Sequence, residues 1–177
     1  GARMHYLDEG AGPPVLMVHG NPTWSYLWRN VIPHVSSRAR CIALDLIGMG
    51  KSDKPDIEYR FFDHAGYVEG FIATMELQNI TLVVHDWGSG LGFYYAMRHP
   101  ENIKGLAFME AILGPLRWDR FPGSKKEIFQ KFRTPEVGWD LIVNQNMFIE
   151  KILPGSVVRE LTDAELATVL APFMLRS

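Results

Sequence analysis

The sequence predicts an α/β protein, with a mostly parallel sheet, helices on both of its faces and a helical lid. Three features carry that expectation. Short apolar runs rich in Val, Ile and Leu alternate with segments of helical periodicity as far as residue 109, the pattern of parallel strands covered on both faces. The stretch Leu82-Val83-Val84-His85-Asp86-Trp87-Gly88-Ser89-Gly90-Leu91 passes from a β-branched run through small residues into a helical pattern. It therefore reads as strand, sharp turn and helix. After Ala111 the strand signals stop, and only short helical stretches follow.

Taken in order, residues 4–9 alternate as a short strand, and the glycines and prolines of 10–14 mark a turn. Residues 14–18 are apolar throughout and predict a buried parallel strand, which ends at His19-Gly20-Asn21-Pro22-Thr23. Residues 24–35 carry Tyr26, Leu27, Val31 and Ile32 at helical spacing. A strand over 41–46 runs into the long loop Ile47-Gly48-Met49-Gly50-Lys51-Ser52-Asp53-Lys54-Pro55. Helical periodicity over 61–77 is followed by a strand at 80–84, the turn at Asp86, a helix to about residue 98, and a buried strand over 103–109 that ends on Glu110. The order is β, β, α, β, α, β, α, β, which divides the chain into a sheet-bearing part, residues 1–112, and a helical lid, residues 113–177. In the second part Pro115, Trp118, Phe121, Pro122 and Gly123 interrupt any periodicity. Helical stretches are expected at 124–132, 137–143, 147–153 and 166–170, the last preceded by Thr162-Asp163-Ala164-Glu165, the residue pattern of a capping box.

Composition narrows the function. Of 177 residues, 47% are hydrophobic and 21% charged, with a net charge of −2. That balance suits one globular domain and gives no reason to expect nucleic acid or an anionic membrane as a partner. The single cysteine, Cys41, excludes an internal disulfide and a cysteine-based zinc site, and its strand-like surroundings predict a buried, inert thiol. No apolar run approaches the ~18 residues of a membrane span, and Gly1-Ala2-Arg3-Met4, which reads as a clipped start, leads straight into the first strand without the pattern of a signal peptide. A reducing, cytoplasmic setting is the expectation, with neither cofactor nor metal.

The chemistry is concentrated at Asp86. A nucleophile on a strand-to-helix turn projects at the carboxyl end of its strand, beside the amide groups that open the helix. A carboxylate there is poorly suited to attack a carbonyl, since the product would be an anhydride. It suits displacement at a saturated carbon, where the product is an ester that water can cleave. A plain helix N-cap is the competing reading of Asp86, and on this stretch alone the two weigh evenly. The strand ends decide between them. Ligands of open α/β sheets bind outside the carboxyl ends of the strands, which places Asn21, Trp87 and Glu110 around Asp86. Two neutral N–H donors could receive an anion leaving the attacked carbon without neutralising the nucleophile. Each of the three also has an ordinary reading: Asn21 as a turn residue before Pro22, Trp87 as core, Glu110 as a cap or surface carboxylate.

His19-Gly20-Asn21-Pro22-Thr23, Asp45-Leu46-Ile47-Gly48-Met49-Gly50-Lys51-Ser52-Asp53-Lys54-Pro55 and His85-Asp86-Trp87-Gly88 resemble the haloalkane dehalogenases of the α/β-hydrolase fold. The resemblance runs through nearly the whole chain. It implies attack by Asp86 on a carbon bearing a halogen, with the halide held by the Asn21 amide and the Trp87 indole N–H. Histidine-activated water would then cleave the alkyl-enzyme ester, with the backbone amides of Asn21 and Trp87 as oxyanion donors. Glu110 matches the acid that orients the histidine. The implied partners are a small apolar halogenated substrate, halide and water, and Phe132, Trp139, Phe148, Leu153 and Val157 are expected to line the underside of the lid.

One departure stands out. All six histidines, His5, His19, His34, His64, His85 and His99, precede residue 100, whereas the family's base follows the last strands. His85 is expected to point to the far side of the turn, and His19 to serve its own loop. The expectation is that Ser177 marks a break before the last strands, with the histidine on a second chain or on a missing part of this one. Strand 103–109 would then be an apolar, unpaired edge.

Coelenterazine luciferase resembles the same motifs and is an alternative. A ligand-binding or covalent-trap protein on this scaffold is another. Epoxide hydrolases resemble a pattern with an aromatic residue at the position of Asn21, and no tyrosine follows Tyr95 to serve as their lid pair. A nucleotide-binding reading of Gly48-Met49-Gly50-Lys51-Ser52 lacks the P-loop spacing.

Overall fold

The computed structural model describes residues 1–114, 117–119, 121 and 123–174. Its first compact unit, Gly1–Leu113, holds a five-stranded sheet in the order β1-β3-β2-β4-β5, built from β1 Tyr6–Glu9, β2 Pro14–Val18, β3 Arg40–Leu44, β4 Ile80–His85 and β5 Ile103–Met109. β1 pairs antiparallel with β3, and all other pairs are parallel. The expected mostly parallel sheet is therefore present.

Alternation along each strand sends side chains to two separate cores. Leu16, Val18, Ile42, Leu44, Leu82 and Val84 pack with Val68, Phe71, Ile72 and Leu91, the last four from α2, Phe61–Thr74, and α3, Trp87–Arg98. On the other face, Val15, Met17, Cys41 and Ala43 pack with Trp28 and Ile32. Cys41 is fully buried, and burial pushes its thiol pKa up, as expected of an inert sulfur.

Two predicted helices differ in detail. Residues 24–35 form a 3₁₀ turn, Ser25–Asn30, followed by the short α1, Ile32–Val35. Pro33, which has no amide hydrogen, belongs to the first turn of a helix and not to the middle of a longer one. Helix α2 ends three residues before the predicted 77 because Glu76 turns left-handed (φ 51°) and the Leu77 amide closes back on the Ile72 carbonyl at 3.1 Å.

Strand β5 has the predicted bounds but is not buried. It lies at the edge of the sheet, with Leu106, Phe108 and Met109 each more than 40% exposed. Its apolar composition belongs to an interior strand, yet among the described residues only β4 pairs with it.

The second unit, Gly114–Met174, contains no strand among its described residues. It comprises α4 Gly123–Phe132, α5 Val137–Trp139, wide helical turns at Asp140–Asn144 and Phe148–Ile152, a 3₁₀ turn Pro154–Ser156, and α6 Asp163–Met174. Phe129, Phe132 and Phe148 pack together within it in edge-on and tilted contacts, with ring centroids 5.5 to 5.9 Å apart. The capping box forms as predicted. Glu165 N–H donates to Thr162 Oγ1 at 3.3 Å, and Thr162 N–H donates to Glu165 Oε2 at 3.1 Å. The expectations placed on Pro115, Pro122 and Ser177 lie outside the described residues. Among the described residues no helix is long and apolar enough to cross a membrane.

An exposed apolar edge pairs readily with another edge. This chain is expected to self-associate as its concentration rises, and Phe108→Lys to reduce that association, with static light scattering as the measurement.

Candidate active site

Strand β4 delivers Asp86 into a conformation of φ 51°, ψ −127°, a region in which glycine is usual. Helix α3 begins at the next residue. The turn has a backbone closure of its own, the Ser89 amide donating to the Asp86 carbonyl at 2.9 Å. The carboxylate makes no capping bond to the helix, so the N-cap reading of Asp86 does not hold. Instead Asp86 Oδ1 accepts the Asn21 backbone N–H at 2.8 Å. The structure thus brings Asn21 to Asp86, and an amide to an oxygen of the carboxylate.

That approach depends on missing side chains. A Cβ at Gly20 would collide with Asp86 Oδ1 and lie 2.6 Å from the Trp87 amide nitrogen, and one at Gly88 would collide with the Val18 and His19 carbonyls. β2 and the turn after β4 can therefore touch backbone to backbone.

Trp87 is the first residue of α3 and is 42% exposed, so it is not the packed core residue of its ordinary reading. Its ring stands 6.4 Å from that of Phe61. Glu110 is exposed, follows β5 and is also left-handed (φ 47°). Because His85 pairs with Met109 in the parallel register, Asp86 and Glu110 leave neighbouring strands at the same level.

Behind these residues lies a buried polar frame. Asp45, fully buried, accepts the Ser25 amide at 2.7 Å on Oδ1, and the Lys51 amide and His5 Nδ1–H at 2.9 Å each on Oδ2. The glycines at 48 and 50 turn with positive φ, and the Lys51 amide is turned toward Asp45. The loop amides thus serve the protein's own carboxylate, in agreement with rejecting a phosphate cradle. His19 is equally enclosed. Its Nδ1–H donates to the Gly20 carbonyl and its Nε2 accepts the Leu46 amide, both at 2.9 Å. Burial lowers its pKa to about 4 against the opposing pull of the Gly20 carbonyl and Asp45. It is a neutral structural imidazole, as the sequence suggested. His99 is held by Glu69 at 3.1 Å. Among the described residues no cluster of His, Cys, Asp and Glu could hold a metal ion.

Sequence reasoning missed Ser89. Fully buried, its hydroxyl donates to the Asp86 carbonyl, and its oxygen accepts the Ile112 amide at 2.8 Å. The only signal was a small polar residue three places after the turn, which is equally the signal of helix packing.

The profile of the alpha/beta hydrolase fold family matches residues 13–172. A haloalkane dehalogenase of Mesorhizobium japonicum is 49% identical over 96% of this chain and 56% of its own length. One from Sphingobium indicum is 47% identical over 98% of this chain and 60% of its own. The crystal structure of haloalkane dehalogenase DbeA from Bradyrhizobium elkani superposes with a TM-score of 0.95 at 47% identity, covering 98% of this chain and 61% of that one. The chain therefore spans 56 to 61% of the length of these relatives.

Two outcomes follow from the frame. The unfolded state takes up a proton at His19 near pH 6.5, and the native state only near pH 4. Stability from this group is therefore complete above about pH 6.5 and is lost as the pH falls to 4, by at most about 3 kcal/mol. Urea unfolding at pH 7 and at pH 4.5 measures the loss, and His19→Gln should flatten the dependence. Gly20→Ala is expected to cost about 1–3 kcal/mol through overpacking against the Trp87 backbone, read in the same unfolding experiment.

Proposed function

This chain belongs to the alpha/beta hydrolase fold family, and from that premise we propose that it carries the nucleophile and halide site of a haloalkane dehalogenase. The observation that carries this reading is the Asn21 amide on Asp86 Oδ1, 2.8 Å away, at a turn whose carboxylate is released from helix capping. One carboxylate oxygen is held by the chain, which leaves the other to attack.

In the proposed reaction, that oxygen of Asp86 displaces halide from a saturated carbon. The C–O bond forms as the C–halogen bond breaks, and its electron pair leaves with the halide. No proton moves. The Asn21 side-chain amide and the Trp87 indole N–H receive the halide as uncharged donors, so the nucleophile is not paired off before it reacts. When water later attacks the ester carbonyl, the backbone amides of Asn21 and Trp87 are proposed to receive the oxygen that becomes negative, a role supported for Asn21 by its bond to Asp86 Oδ1.

The second step needs a base. Three of the six histidines are already held, His5 by Asp45, His19 between Gly20 and Leu46, and His99 by Glu69. We assign the base to a histidine outside these residues, on the same polypeptide or a second chain, with Glu110 as its orienting acid. The substrate class is a small, uncharged halogenated alkane, and the proposed setting is the cytoplasm. The relatives matched are themselves named dehalogenases, and no observation on this chain favours a luciferase.

The test is a mass spectrum after incubation with a bromoalkane. One alkyl group should appear on Asp86 with one bromide released and no sustained turnover. Asp86→Asn should abolish the adduct. Asn21→Ala or Trp87→Phe should slow its formation by about a hundredfold, the scale seen when one preorganised donor is lost. Absence of the adduct in the parent chain overturns the reading, and continued bromide release overturns the assignment of the base.

A further inference from the structure

Asp86 and Glu110 leave adjacent parallel strands at one level, and both do so with left-handed backbone. Each therefore departs from its strand in a conformation that ordinary side chains disfavour, and each needs to be held there. The Asp86 turn has a backbone bond of its own, from the Ser89 amide. The segment after Glu110 is tied across to that turn through a side chain: the Ile112 amide donates to Ser89 Oγ at 2.8 Å, and the same hydroxyl donates to the Asp86 carbonyl. Ser89 itself is fully buried, which holds its hydroxyl between the two partners. A hydroxyl suits this place because it donates and accepts at once. Alanine would take this partner from both the Asp86 carbonyl and the part-buried Ile112 amide, and an unmade bond costs more than a made one gains.

We propose that Ser89 is a positioning residue, whose hydroxyl fastens the nucleophile turn to the acid-bearing segment 110–112 and so fixes how the Asp86 carboxylate is presented to substrate. The inference rests on the reading of Asp86 as nucleophile, and it adds a residue that touches neither substrate nor halide. Removing the hydroxyl leaves the Ser89 amide bond in place. The turn should then persist but lose its lateral anchor, and small misplacements of a reacting group are costly in rate.

The test uses Ser89→Ala in the whole chain, with two measurements. Hydrogen exchange at the Ile112 amide should speed up about tenfold, the scale of one lost hydrogen bond, while the amides of β4 keep their protection. The limiting rate of Asp86 alkylation by a bromoalkane should fall about tenfold with the half-saturating concentration unchanged. A general loosening of the fold would instead raise exchange throughout β4 and weaken binding. Should Ser89→Ala fail to fold, Ser89→Cys keeps the branching of the side chain with a somewhat larger atom and makes only a weak sulfur hydrogen bond, and it is read in the same way with smaller changes. Unaltered Ile112 exchange, or an unaltered limiting rate, overturns the proposal. If the parent chain itself is not alkylated, the reading of Asp86 has failed instead, and the exchange measurement still decides whether the bridge exists.

Discussion

A carboxylate held where the backbone prefers glycine is the constraint on which this structure depends. Non-glycine residues in such conformations cost on the order of 1–3 kcal/mol, and that cost must be offset nearby. Strand β4 supplies the offset from one side, since Ile80, Leu82 and Val84 are essentially inaccessible to solvent. Helix α3 supplies it from the other, through Leu91 and Tyr95 in the same core. Gly92 lets the helix approach, because a Cβ there would lie 2.7 Å from a methyl group of Val84. The strain at Asp86 is held by packing that extends well beyond the turn.

The loops around the turn are organised by charge and not by regular structure. A buried carboxylate must be compensated, and Asp45 is compensated by two loop amides and His5. Ser52 adds a further tie, its hydroxyl donating to the Asp45 carbonyl at 2.7 Å. His19 does the same for the loop beginning at Gly20 by spanning two backbone groups. These two residues give irregular segments the fixed positions that a site at strand ends requires, so that Asn21 can meet Asp86 across 65 positions of sequence.

Much of this was legible in the sequence, for identifiable reasons. β2 and β5 have the predicted bounds because an unbroken apolar run between turn residues has few alternatives. The turn at Asp86 was legible because small residues follow a β-branched run at once, and the meeting of Asn21 with Asp86 because both end parallel strands. What stayed hidden was non-local. No periodicity shows that Asp45 gathers groups from 40 residues upstream and 6 downstream, or that Ser89 reaches Ile112. Pro33 carried the information that residues 24–35 form two short pieces, but helical spacing outweighed it.

Cys41 sits on β3 between Glu9 of β1 and Val15 of β2, sealed from solvent, and it is the lone sulfhydryl in the chain. Its sulfur lies in the core beneath Trp28 and Ile32, so a disulfide reagent reaches it once that layer lifts off the sheet. Trapping of this one atom thus acts as an internal clock for the opening of that face, separate from whatever occurs at the carboxyl ends of the strands.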